Sequence, residues 1–400
     1  MDKTKLKKNI VSVFLVLMCI QIVPLEGSGV SNLKFATMCL APFIWMFYFK
    51  TFSKAFVWGF IYILMIIFSV LYNIDSLRLS TLGYKIAFVF MFIMYYDLIY
   101  FNNAFSLQEF IKFLKFLIWA FVVCLILQQV AILVGLRSLA LINFVNYIDR
   151  GIGANSLSIE PSHAARILTV LMLVFIKMSE LKTGKENFIF FEFYKNNKKV
   201  LLGFLWAMLT MGSGTAFVGL ALILLYFVKT KYTAIVGPLL LILYFLIPYI
   251  NYESFDRAKL TFETFITLDN AKIIEADRSA AARIVPLVNT FTKIEVTKLE
   301  TWIGEGIDSH LDVDYLSNEK IIGDITDYGL ISYIFSLFFV FSCCIHKVKS
   351  IETILFIFLL GASILNIAYV WGILMLFSTS NYFLNNYKKG HFVNNKTNFI

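Results

Sequence analysis

Two stretches of this 400-residue chain concentrate the side chains that can move protons or hold anions. The first is Glu160-Pro161-Ser162-His163-Ala164-Ala165-Arg166, with Asp149-Arg150 shortly before it. The second begins at Asp277-Arg278-Ser279, passes Arg283, and reaches Trp302-Ile303-Gly304-Glu305-Gly306-Ile307-Asp308-Ser309-His310 and then Asp324-Ile325-Thr326-Asp327-Tyr328-Gly329-Leu330-Ile331. A carboxylate or imidazole within hydrogen-bond reach of a hydroxyl can take its proton, so Glu160, His163 and His310 are the candidate bases. Guanidinium stays charged and grips phosphate or carboxylate with a planar fork of donors, so Arg150, Arg166, Arg278 and Arg283 are the candidate anion ligands. If a helix begins near Pro161, His163 and Arg166 share a face at i, i+3, with Glu160 at the positive end of the dipole. Plain helix capping would use the same residues, since Pro suits the first helical position.

Other chemistries lack their residues. No His-Glu-x-x-His run, no cysteine pair at zinc spacing and no Gly-x-Ser-x-Gly elbow occurs. Cys19, Cys39, Cys124, Cys343 and Cys344 lie inside apolar blocks and read as small apolar side chains. Gly212-Ser213-Gly214 with Gly219 lacks the Lys-Ser/Thr of a phosphate loop. Asp308, Asp312 and Asp314 could hold a divalent cation, but a solvated acidic turn is the more ordinary use of such a run, and no metal site is assigned.

The elements that position these residues must be membrane helices. With 59% hydrophobic and 15% charged residues and a mean hydropathy of +0.77, the chain has too few charges to cover a water-soluble globule. Apolar blocks of helix-spanning length fall near 10–24, 33–49, 55–72, 83–101, 113–136, 163–179, 199–212, 214–228, 232–250, 327–345, 351–366 and 367–384. They are apolar all round and do not alternate, which predicts an all-α polytopic bundle of about 11–12 helices and excludes a barrel. The whole of 1–400 reads as one membrane domain with two sizeable loops, 137–162 and 251–326. Lys3, Lys5, Lys7 and Lys8 before an apolar run imitate a signal peptide, but no A-x-A-like site follows, so an uncleaved first helix is expected.

Placing the N-terminus inside puts Lys50 and Lys54, Lys112 and Lys115, Lys229 and Lys231, Lys347 and Lys349, and Lys388 and Lys389 on the cytoplasmic side, with both termini cytoplasmic and the two large loops outside. The net charge of +9 then reports orientation and gives no reason to expect nucleic acid. All seven arginines (Arg78, Arg137, Arg150, Arg166, Arg257, Arg278, Arg283) fall on the outer side. The positive-inside rule treats Lys and Arg alike and cannot sort them. An anionic partner outside, such as a lipid pyrophosphate, would account for the bias, and so would pairing with outer acids or lipid headgroups.

Glu160-Pro161-Ser162 opening a helix after an outer loop resembles the signature of the O-antigen and capsule polymerase (Wzy) family. Ser213-Gly214-Thr215 opening an apolar helix, Arg278-Ser279, Gly304-x-Gly306 and Asp327-Tyr328-Gly329-Leu330-Ile331 follow in the order expected of that family, over roughly the C-terminal 250 residues. The family's Ser-Arg at the middle break is Ser213-Gly214 here, and His310 is followed by Leu311 where the related O-antigen ligases have His-Asn. The resemblance implies a GT-C-like, metal-independent glycosyltransferase with no cofactor, in a bacterial inner membrane, making lipopolysaccharide or capsule glycan. Its donor would be an undecaprenyl-diphosphate-linked glycan, its acceptor a lipid-linked repeat unit, and a chain-length co-polymerase a possible partner. The arginines would hold the pyrophosphate, and Glu160, His163 or His310 would deprotonate the acceptor. An O-antigen ligase is the nearest alternative. A lipid-linked-oligosaccharide flippase is another, which should carry charges within its helices.

Overall fold

The computed structural model describes residues 3–21, 31–136, 151–184, 190–227, 278–311, 321–360, 365 and 367–388. Every regular element among them is helical: α1 (Lys3–Cys19), α2 (Asn32–Tyr48), α3 (Lys54–Tyr72), α4 (Leu79–Tyr100), α5 (Leu107–Leu133), α6 (Pro161–Thr183), α7 (Phe190–Thr210), α8 (Gly214–Phe227), α9 (Arg278–Thr292), α10 (Leu299–Ile303), α11 (Gly323–Cys344), α12 (Ile351–Leu360) and α13 (Ala368–Lys388). Short 3-10 turns cover Ile74–Ser76 and Ser309–Leu311.

The boundaries follow local chemistry. Ser31 and Ser53 accept the exposed N–H groups at the starts of α2 and α3, and Ser106 with Glu109 forms a capping box on α5. Pro161 is the first residue of α6, and Gly184 ends it in the left-handed conformation. The apolar stretch read as the spans 351–366 and 367–384 holds the helices α12 and α13, and residues 361–364 and 366 between them lie outside the described residues. The expected span 232–250 lies outside the described residues, as do 137–150, 251–277 and 312–320 of the two loops.

Among the described residues, four helices (α3, α4, α5 and α11) are long and apolar enough to cross a membrane. Their surfaces agree with that reading. Along α3, Val57, Phe60, Leu64, Phe68 and Leu71 recur at helical spacing and are exposed, while Tyr62, Ile63, Ile66 and Val70 are buried. An exposed stripe of large apolar side chains suits lipid and would be costly in water.

The chain divides into two compact units. One comprises residues 1–18, 30–104 and 261–381; the other comprises 19–29, 105–260 and 382–400. In the first, α3 lies along α11 and α2 along α4. Gly59 admits Ile93, Val89 and Phe339 where a Cβ would come within 3.0–3.2 Å of them. Phe88, Phe92, Phe339 and Trp371 form the aromatic core of this unit, with Phe88 and Trp371 stacked 5.8 Å apart. In the second unit, α5, α6, α7 and α8 pack together, and Gly219 of α8 lies so close to Thr169 of α6 that a Cβ would fall 2.1 Å from its hydroxyl.

Candidate functional site

In the first unit, the Gly304-x-Gly306 and Asp327–Gly329 segments fold against each other. Gly304, Gly306 and Gly329 all have left-handed backbone angles (φ +94°, +115° and +82°). A Cβ on Gly329 would sit 2.2 Å from the Trp302 carbonyl oxygen, and one on Gly304 would sit 2.6 Å from that of Asp327. Both positions therefore exclude any other residue. The Glu305 N–H donates to the Thr326 carbonyl (2.8 Å), and Asn73, just after α3, donates to the Gly304 carbonyl (3.0 Å). Gly329 also interrupts α11, so Gly323–Tyr328 is a separate turn ahead of the long apolar helix.

This fold brings His310 onto Asp327. His310 Nδ1 lies 2.9 and 2.8 Å from the two carboxylate oxygens, and its backbone N–H donates to Oδ1 at 3.0 Å. The Asp327 side chain is 0% exposed and that of His310 is 11% exposed. A carboxylate only accepts, so an Nδ1 proton points at Asp327, and in the neutral ring Nε2 carries the lone pair. An imidazole oriented in this way by a buried acid is the arrangement a general base needs. Beside it, Arg78 donates to Asp308 Oδ2 (2.8 Å), which Thr81 also reaches at 3.5 Å.

Below these residues Lys85 of α4 pairs with Asp324 (2.5 Å), with side chains 0% and 6% exposed. Its ammonium sits 4.7 Å from the centre of the Tyr328 ring. Asp324 Oδ2 accepts from the Leu365 N–H at 3.5 Å. The helix α9, which carries Arg278 and Arg283, is tied to the start of α11 through Thr290, whose hydroxyl accepts from the Ile322 N–H (3.1 Å).

The second unit holds the other candidates. The loop before α6 is latched onto α5 by Gln128, which accepts from Ser156 N–H (2.7 Å) and donates to its carbonyl (3.0 Å). Glu160 is the N-cap of α6, but its side chain makes no capping bond. It accepts from the Ser162 hydroxyl (3.1 Å) and lies 3.9 Å from His163 Nε2. Gln21 Oε1 accepts from the Ile159 N–H at 3.2 Å and so also accepts from His163 Nδ1 at 3.0 Å. That assigns a proton to Nδ1, and Nε2 is the nitrogen that faces Glu160. Arg166, one turn further along α6, is buried.

Of the expected anion ligands, Arg150 lies outside the described residues; so do the side chains of Arg278 and Arg283, whose backbones form the first turns of α9. Asp312 and Asp314, expected to share an acidic turn with Asp308, are likewise outside. Asp308, His310 and Asp327 bring one donor atom each within 4.8 Å of one another, a spacing a divalent cation can bridge. Asp327 is already engaged by His310, and Asp308 Oδ2 by Arg78.

Lys85, Asp324 and Gln21 were not among the expected site residues, and Asp327 was noted only as part of a motif. Lys85 left one sequence signal: it is a charge inside the apolar run 83–101, where ionisable residues are expensive and usually functional. No family model, no curated protein and no solved structure matches the chain.

Proposed function

We propose that this protein is a glycosyltransferase of the O-antigen polymerase type, embedded in a bacterial inner membrane with its termini in the cytoplasm. It joins undecaprenyl-diphosphate-linked oligosaccharide repeats into O-antigen or capsular polysaccharide at the outer face. The observation that carries this reading is the oriented pair His310–Asp327, made where the two glycine-bearing segments that resemble the polymerase family meet. His310 Nε2 takes the proton of the acceptor hydroxyl as that oxygen bonds to the anomeric carbon of the donor. The bond from that carbon to the diphosphate breaks, and undecaprenyl diphosphate leaves with the bonding pair. Fixed guanidinium groups stabilise the developing charge, and Arg278 and Arg283 on α9, in the same unit as His310, are the candidates.

A second reading, flipping of the lipid-linked glycan, is favoured by a specific observation: charged side chains are buried within helices at Lys85–Asp324, Asp97 and Arg166. The test is the surface glycan ladder of a strain deleted for this gene, complemented by the native chain and by His310→Gln. A single-repeat product, restored to a ladder by the native chain alone, supports the polymerase. Unpolymerised repeats stalled on the inner leaflet would replace it with the flippase. Full-length polymer accumulating on the carrier lipid would replace it with a ligase.

A further inference from the structure

Lys85 has no role in the proton transfer just described, yet it is among the most deeply buried charges in the first unit. Removing one partner of such a pair leaves the other charge buried and uncompensated. A pair with that liability needs a reason. Its position supplies one. Asp324 and Asp327 are i, i+3 neighbours on the short turn Gly323–Tyr328, and Tyr328 follows directly. Lys85 therefore grips the turn on both sides of Asp327, by an ion pair to Asp324 and by its ammonium over the Tyr328 ring. Gly329 breaks the backbone after that turn, so the turn cannot inherit its orientation from the rest of α11. Its tie to α4 passes through Lys85. The carboxylates are also matched one to one: Arg78 serves Asp308, Lys85 serves Asp324, and His310 serves Asp327.

We infer that Lys85 is a positioning residue for the His310–Asp327 pair, acting through Asp324 and Tyr328. The inference rests on His310 being the base. The charged and titratable groups linked to the His310–Asp327 pair by contact or charge are Arg78, Asp308, Lys85, Asp324, Tyr328, Tyr62 and Tyr333, with Asp75, Glu300 and Glu305 on the adjoining segments. Deleting the Lys85 charge alone makes the field at the imidazole more negative, so the ring holds its proton to higher pH.

The experiment uses the full-length protein in lipid nanodiscs with a lipid-diphosphate-linked repeat as substrate, and measures initial polymerisation rate against pH. In Lys85→Met, the acid limb of the profile moves to higher pH, as expected when a nearby positive charge is lost. In Lys85→Arg, the limb stays in place. The double variant Lys85→Met with Asp324→Asn leaves no buried charge unpaired and so keeps its fold; its limb stays in place, while its plateau rate falls about tenfold with KM unchanged. A double variant at the native plateau rate overturns the inference, and so does an unmoved limb in a folded Lys85→Met protein. If the single variant does not fold, the double variant decides alone. A His310→Gln protein polymerising at the native rate sinks the base assignment and this inference with it, whereas an inactive His310→Gln beside a native-like double variant sinks the inference alone.

Discussion

The two units each contain a histidine beside a carboxylate, and they treat it differently. In the first, Asp327 is enclosed; both its oxygens face His310 Nδ1, and Oδ1 also accepts the His310 backbone N–H. In the second, the Glu160 side chain is 48% exposed, and His163 stands 3.9 Å from it while its other nitrogen faces an amide. A base works best when its ring is held at one angle in one tautomer by a group that cannot move away. His310 has such a holder, built from residues that nothing but glycine could bring together. His163 is oriented by Gln21, a neutral acceptor that gives less support to a positive ring. The comparison ranks His310 first, and it can be broken.

The largest expected effect is at the first pair. His310→Gln should lower the polymerisation rate by about 10²–10⁴, the range that loss of a positioned general base produces. Asp327→Asn should fall within the same range, because the amide can turn its NH2 toward Nδ1 and favour the wrong tautomer. Rate measurements on detergent-purified protein check both. Native activity in Asp327→Asn would show that the buried acid is structural.

Next in size are the glycines. Gly329→Ala places a methyl group 2.2 Å from the Trp302 carbonyl and puts a side chain at φ +82°. Left-handed strain and overpacking together should cost about 2–4 kcal/mol. The thermal midpoint and the glycan ladder should fall together, and a Gly329→Ala protein with native stability would mean that the two segments do not meet as described. Gly135→Ala is the control: its φ of +81° carries the strain with open space around it, so it should cost only about 1–2 kcal/mol.

How far these features were legible in the sequence depended on how local they are. Four of the spans, those in α3, α4, α5 and α11, could be read because apolar runs of spanning length have few other uses, and the start of α6 at Pro161 because proline is tolerated there. Gly304, Gly306 and Gly329 were visible as motif residues, but their mutual approach is a tertiary fact that spacing does not encode. The same holds for His310 on Asp327, 17 residues apart, and for Lys85 on Asp324, 239 apart. The ionisable residues buried inside helices were harder to weigh: Lys85, Asp324 and Asp327 lie within α4 and α11, and Arg166 within α6. Long-range pairing hides such charges, because each is affordable only beside a partner the sequence places elsewhere.

A smaller effect is expected from the α9 arginines. Arg278→Lys and Arg283→Lys keep the charge and lose the planar fork. If the pair grips a diphosphate, each should raise KM for the lipid-linked donor several-fold, and the double substitution should cost roughly tenfold or more in kcat/KM. Unchanged kinetics in the double variant would remove α9 from the site and leave the arginine bias to lipid headgroups.

The smallest expected effect sharpens the opening comparison most. Glu160→Gln keeps an acceptor for the Ser162 hydroxyl and removes only the charge. The side chain is half-exposed and makes no capping bond to α6, so its charge is well screened and the helix start does not depend on it. Polymerisation should drop by less than about fivefold, with the thermal midpoint unchanged, which fits a role in holding a glycan hydroxyl rather than taking its proton. If Glu160→Gln instead abolishes product while His310→Gln retains it, the ranking reverses. The exposed carboxylate would then be the base, and the enclosed His310–Asp327 pair a structural clasp for the glycine-bearing segments.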